Sequence, residues 1–165
     1  MSYILTLFSD ILYFFLPAIM ANLTPVFAAY YRILPALNRP LDGGLTLRDQ
    51  PLFGSHKTVR GLLVGVLAAS IIGLLQGNLI LGAVMGLGAL WGDAMKSFFK
   101  RQLNIASGAH WSPWDQIDFV IGAIIFTYPI TPRSPLFYLA AILLIGLGSF
   151  LFSYIGSKLK IKSSL

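Results

Sequence analysis

Long apolar runs, separated by short polar segments, fill most of the chain. The first covers about residues 3–31. It carries Asp10, Pro17, Asn22 and Pro25, which predicts a tilted or kinked helix. A polar loop rich in Pro and Gly follows over about residues 32–60. The next apolar stretch, Gly61 to Trp91, is interrupted only at Gln76-Gly77-Asn78. A basic segment spans about residues 93–112, and further apolar runs cover about 114–130 and 136–156. Thr131-Pro132-Arg133-Ser134-Pro135 between them reads as a turn.

The stretch 61–91 is long for one helix and short for two, and charge decides between them. As one span it gives four spans and six Lys/Arg on each side, no bias at all. As two spans turning at Gln76-Gly77-Asn78 it puts eleven Lys/Arg on one side and only Arg133 on the other. Cytoplasmic loops concentrate Lys and Arg. The pattern therefore predicts an all-α integral membrane protein with five transmembrane helices, N-terminus outside and C-terminus cytoplasmic. It forms a single domain over 1–165, with spans at about 3–31, 61–76, 78–95, 114–130 and 136–156 and cytoplasmic loops at about 32–60 and 96–113.

Composition agrees. The 165 residues are 56% hydrophobic and 11% charged, with a mean hydropathy of +0.77. There is no Cys, so disulfides and thiolate metal sites are excluded. His56 and His110 match no zinc spacing. The net charge of +6 is interleaved with the spans, so it reads as topology and no nucleic-acid partner is expected. No Lys or Arg precedes Arg32, and the first apolar run is therefore expected to be a retained span, not a cleaved leader. Gly82-x-x-x-Gly86 and Gly88-x-x-x-Gly92 have the spacing of close helix contacts, within the bundle or in a homodimer.

The six acidic residues are all Asp, and three flank the basic segment: Asp93 before it, Asp115 and Asp118 after it. Ionisable groups beside lipid are costly and mark functional sites. If one helix runs on from Asp93, then Asp93, Ser97 and Arg101 share a face, with Lys100 nearby. Such a stripe suits a metal and phosphate oxygens; a solvated helix end is the bland alternative. Asp115 and Asp118 lie in a first helical turn after Pro113. They either complement the helix dipole or offer a foothold for Mg²⁺. Phe53-Gly54-Ser55-His56-Lys57-Thr58-Val59-Arg60-Gly61 joins a glycine, hydroxyls and cations just before a helix, which suits phosphate, though it is no Walker A loop. The bland alternative is that its cations are a topology signal alone. Asp42, in Pro40-Leu41-Asp42-Gly43-Gly44, is a turn residue or a site residue. Asn22 and Thr24-Pro25 cap a cavity or simply kink the first span.

Ala21-Asn22-x-Thr24-Pro25, Pro40-x-Asp42-Gly43-Gly44, Gly54-x-x-Lys57-Thr58-x-Arg60-Gly61, Gly92-Asp93-x-x-x-Ser97-x-x-Lys100-Arg101 and Asp115-Gln116-x-Asp118 occur in that order. Together they resemble the CDP-archaeol synthases, small five-span cytidylyltransferases. The Gly-Asp…Ser…Lys-Arg and Asp-x-x-Asp pieces also resemble the larger phosphatidate cytidylyltransferases, but Lys96 stands where those often carry an acid, and their later elements are missing.

The resemblance implies CMP transfer from CTP to a membrane lipid phosphate, of archaeol-type ether lipid or phosphatidate, with release of pyrophosphate. It implies Mg²⁺ on Asp93, Asp115 and Asp118, with Lys100 and Arg101 completing the catalytic set. Asn22, Asp42, Lys57, Thr58, Arg60 and Ser97 would bind substrate. Partners are then CTP, a lipid phosphate and the bilayer. The site would face the cytoplasm of the cell membrane. A small transporter or channel subunit is the rival class, although the polar residues gather at one face and no repeat pairs two halves. A CDP-alcohol phosphotransferase would show aspartates four apart, whereas here they are three apart.

Overall fold

The computed structural model describes residues 2–106 and 109–158. The tail residues Lys160 and Lys162, which contribute to the charge bias, lie outside them. Five α-helices carry the described fold: α1 (Ser2–Tyr30), α2 (Val59–Leu75), α3 (Leu79–Gln102), α4 (Trp114–Thr127) and α5 (Pro135–Lys158). α1 continues through Pro17 and Pro25. The turn at Gln76-Gly77-Asn78 is as expected. Gly77 takes φ +85°, and the Asn78 side chain caps α3 by accepting the Leu81 N–H at 2.9 Å.

α3 differs from the expected end near residue 95. It runs on to Gln102, so Asp93, Lys96, Ser97, Lys100 and Arg101 all ride on one helix, and the loop behind it is shorter than 96–113. Nothing there stops a helix: Lys, Ser, Phe, Phe, Lys, Arg and Gln carry no breaker, and Lys100 and Arg101 complement the helix C-terminus.

Helix α2 is packed inside-out relative to a soluble helix. Its buried positions include Gly61, Gly65, Ala69 and Gly73, while Leu67, Ile71 and Leu74 are each more than half exposed. Lipid gives large apolar residues no reason to leave the surface, and small ones let backbones approach. A Cβ on Gly73 would lie 2.6 Å from the Gly82 Cα. Gly82 and Gly86 thus serve the α2 face of α3, while Gly88 and Gly92 press on α4 at Gly122, Phe126 and the Asp118 backbone. The seams that the sequence offered to a second copy are used inside the chain.

The core joins Phe14, Phe15 and Ala18 of α1, Met85 and Ala89 of α3, Phe119 and Val120 of α4, and Ala141 and Ile145 of α5. By length and composition α1, α3 and α5 can each cross a membrane. α2 has 17 residues and α4 has 14, about 26 and 21 Å at 1.5 Å per residue, against a hydrocarbon core of about 30 Å.

The loop between α1 and α2 is folded. Thr46–Leu47 (β1) and Gln50–Pro51 (β2) form a small antiparallel hairpin, absent from the all-α expectation. Leu41 N–H donates to Lys57 O at 2.7 Å and Val59 N–H to Arg39 O at 3.0 Å, which ties the loop to the start of α2.

Candidate active site

The start of α2, the end of α3 and the start of α4 meet at one end of the bundle, and their charged residues interleave. Lys57 donates to Asp93 Oδ2. Lys96 Nζ lies 3.2 Å from Asp93 Oδ1, 3.3 Å from Asp115 Oδ1 and 2.7 Å from Asp118 Oδ2. Lys100 Nζ reaches Asp115 Oδ1 at 3.3 Å and also donates to Ala109 O. Three Asp and three Lys thus balance in charge within a nearly closed cluster. A buried charge survives only when paired, and here each one is.

The backbone aims two of the carboxylates. Trp111 N–H donates to Asp115 Oδ2 at 2.6 Å, and Phe119 N–H donates to Asp118 Oδ1 at 2.8 Å. Asp118 Oδ2 is buried, has Lys96 as charge partner and receives no hydrogen bond of good geometry.

The remaining candidates are placed as follows. Ser97 is buried and its hydroxyl donates to Asp93 O at 3.0 Å, leaving its lone pairs free to accept. Thr58 caps α2, its Oγ1 accepting the Gly61 N–H at 3.1 Å. Arg101 packs its stem near Gly54, where an added Cβ would meet Arg101 Cδ at 3.9 Å. Arg60 is buried in the first turn of α2 with no partner for its Nε, and among the described residues it joins no ion pair of the cluster.

Asp42 acts on the loop. Its Oδ1 accepts the Gly44 N–H at 3.0 Å, and its Oδ2 accepts Phe53 N–H at 2.9 Å and Gly54 N–H at 3.4 Å. Burial alone would raise its pKa. The backbone donors outweigh that and hold it below the ordinary carboxylate value. Asp42 thereby fixes the segment that delivers Gly54 and Lys57.

A cavity of about 1090 Å³ opens beside the cluster. Its lining includes the polar Lys57, Thr58, Asn22, Asp93 and Asp115 and the apolar Leu87, Trp91, Phe126 and Phe152, with Tyr30. Charged groups together with extensive apolar walls suit an amphipathic ligand.

Lys96 was legible in the sequence as a cation beside the aspartates, three residues after Asp93, but was not assigned a place in the site. That spacing does not reveal that Asp115 and Asp118 converge on the same ammonium.

All three carboxylates are hard oxygen donors without nitrogen or sulfur, which suits Mg²⁺. Asp118 Oδ2 is a buried acceptor of the kind a cation satisfies. Among the described residues no three Asp, Glu, His or Cys already close around a point, and the position common to these three is taken by the Lys96 ammonium. The residues fit a cation that brings part of its coordination shell with it.

Long apolar helices, a small-residue seam on α2 with its large apolar residues outside, and a charge cluster at one end of the bundle define a helical membrane protein with a polar site. A family model described as CarS-like, CDP-archaeol synthase, matches residues 4–81 and 77–164. The CDP-archaeol synthase of Methanopyrus kandleri is 39% identical over 132 residues, covering 75% of this chain and 72% of the relative. That of Aeropyrum pernix is 39% identical over 152 residues, covering 85% and 83%. A solved structure of an intramembrane enzyme for archaeal membrane lipids biosynthesis superposes with TM-score 0.73 at 33% identity, covering 87% of this chain and 92% of that one. The chain belongs to the CDP-archaeol synthase family.

Proposed function

We propose that this chain transfers CMP from CTP to the terminal phosphate of an archaeol-type ether lipid, giving CDP-archaeol and pyrophosphate. Family membership makes it a CTP-dependent cytidylyltransferase of membrane lipid synthesis. The residue roles rest on the convergence of Asp93, Asp115 and Asp118, from two helices, with Lys57 and Lys100, beside an amphipathic cavity that Lys57, Asp93 and Asp115 line.

Both reactants are anions, so the residues' task is charge neutralisation and alignment. Mg²⁺, held by Asp93, Asp115 and Asp118 together with substrate oxygens, would supply charge neutralisation at the phosphates. Lys57, released from Asp93, and Lys100 and Arg101 take phosphate oxygens. Ser97, Thr58 and Asn22 offer hydroxyl and amide groups around them. Arg60, buried with an unpartnered Nε, turns to an anion that arrives with substrate. Asp42 acts by holding the loop. The lipid phosphate attacks the α-phosphorus of CTP in line, its tail lies along Trp91 and Phe126, and no side-chain nucleophile is needed.

The five helices form one transmembrane domain, 1–165, with the N-terminus outside and this site at the cytoplasmic face of the cell membrane. The support is the eleven-to-one distribution of Lys and Arg. The short α2 and α4 fit a span in which α3 carries the site below the headgroup level. Gly77→Cys and Arg133→Cys proteins should be labelled only by reagents reaching the outside; cytoplasmic labelling at 77 contradicts this topology.

Activity is tested with the purified protein, CTP and Mg²⁺, by following pyrophosphate. Release should require a lipid phosphate and be faster with the ether lipid than with a diacyl phosphatidate. Equal or greater release with phosphatidate overturns the assignment of the lipid; release without any lipid overturns the transfer.

A further inference from the structure

We propose that Lys96 is the resident cation of this site: its ammonium holds the place among Asp93, Asp115 and Asp118, so that a divalent ion enters only together with the nucleoside triphosphate. The inference rests on the reading of these carboxylates as the metal site. It assigns Lys96 a role that the transfer reaction itself does not ask for.

The geometry is specific. One ammonium reaches three carboxylates on two helices, at 3.2, 3.3 and 2.7 Å. The i, i+3 spacing from Asp93 holds it there, and its side chain is only 14% exposed. Lys57 and Lys100 pair with Asp93 and Asp115, so the resting cluster has no net charge left to attract a free ion. A bare Mg²⁺ would have to displace Lys96 and leave a buried ammonium without a counter-ion, which is expensive. A metal–triphosphate complex removes the obstacle, because it brings anionic oxygens to which the displaced lysines can turn. Lys96 thus couples two binding events. It also spares the empty site from three mutually repelling carboxylates.

The test is retention of Mn²⁺ by full-length protein in detergent, by equilibrium dialysis with and without CTP and no lipid phosphate. In the wild type, CTP should lower the Mn²⁺ concentration for half-saturation at least ~10-fold, within the usual range of coupling between two ligands. Lys96→Gln should retain Mn²⁺ without CTP at least ~10-fold better than wild type and lose most of the coupling. Lys96→Arg, which keeps the charge, should behave as wild type. Lys96→Gln protein that is folded but holds free Mn²⁺ no better than wild type overturns the proposal. If Lys96→Gln does not fold, the wild type and Lys96→Arg decide. Equal retention with and without CTP in either contradicts the proposal, and coupling in both supports it. Failure of wild type to bind Mn²⁺ even with CTP would overturn the metal-site reading itself. That outcome is distinct from free-metal binding that is already tight.

Discussion

Lys57 and Asp93, 36 residues apart, are joined by a direct ion pair that ties the loop before α2 to the end of α3. The pair links the two segments that the sequence offered separately as phosphate binder and metal ligand. If Lys57 leaves Asp93 for a phosphate oxygen during turnover, its loss affects catalysis more than folding. Lys57→Ala should lower kcat/KM for CTP at least ~10-fold, about 1.4 kcal/mol of transition-state stabilisation, with little change in melting temperature. A variant with wild-type kcat/KM removes Lys57 from the phosphates.

Asp93→Asn, Asp115→Asn and Asp118→Asn each keep side-chain size but remove a charge. Each should reduce turnover at least ~10²-fold, the scale of losing one group that stabilises transition-state charge. Each also removes one ligand from the metal, so stimulation by added Mg²⁺ should weaken in parallel. Turnover measured across a Mg²⁺ series checks both. Near-normal activity at limiting Mg²⁺ excludes the residue concerned from the metal site.

Arg60 sits in the first turn of α2, where a cation faces the wrong end of the helix dipole, and its Nε is buried without a partner. An incoming anion resolves both problems. Arg60→Lys keeps the charge that orients the chain in the membrane but loses the planar fork. It should insert normally and turn over at least ~10-fold more slowly. Quantified membrane abundance set beside activity separates this from a purely topological cation, for which Arg60→Lys is silent.

The helices were legible because their signals were local. Gln76-Gly77-Asn78 provided a left-handed glycine and an Asn cap, and charge bias favoured dividing the apolar stretch 61–91 there, where the structure has two helices. The Asp93–Ser97–Arg101 stripe was legible once α3 was allowed to continue. The hairpin at Thr46–Leu47 and Gln50–Pro51 was not, because two-residue strands have no period and Arg48-Asp49 is no customary turn pair, although both take positive φ. The Lys96 contacts were hidden for a different reason. Spacing gives a partner on the same helix, whereas Asp115 and Asp118 reach it only because glycines let α3 and α4 approach closely.

Asp42 gives the loop an acid dependence. Its carboxylate is held below the ordinary value of 3.8 by the backbone donors of Phe53, Gly44 and Gly54, against the opposing effect of burial. A lowered folded-state pKa stabilises the protein above the unfolded value, and that stability is lost as pH falls through the folded value. Amide exchange at Gly44 and Phe53, corrected for its intrinsic pH dependence, should therefore lose protection only below about the ordinary carboxylate pKa. Asp42→Asn should show weakened protection already at neutral pH, by about 1–3 kcal/mol, and no acid step. An unchanged acid step in Asp42→Asn assigns it to another group.

Cytidylyl transfer can be followed atom by atom through the position of a label in CTP. With the purified protein, Mg²⁺ and an archaeol-type lipid phosphate, CTP labelled at the α-phosphorus should pass its label into the lipid, one for each pyrophosphate released. CTP labelled at the γ-phosphorus should leave its label in pyrophosphate alone. Label from the γ-phosphorus in the lipid, or none from the α-phosphorus, contradicts the account.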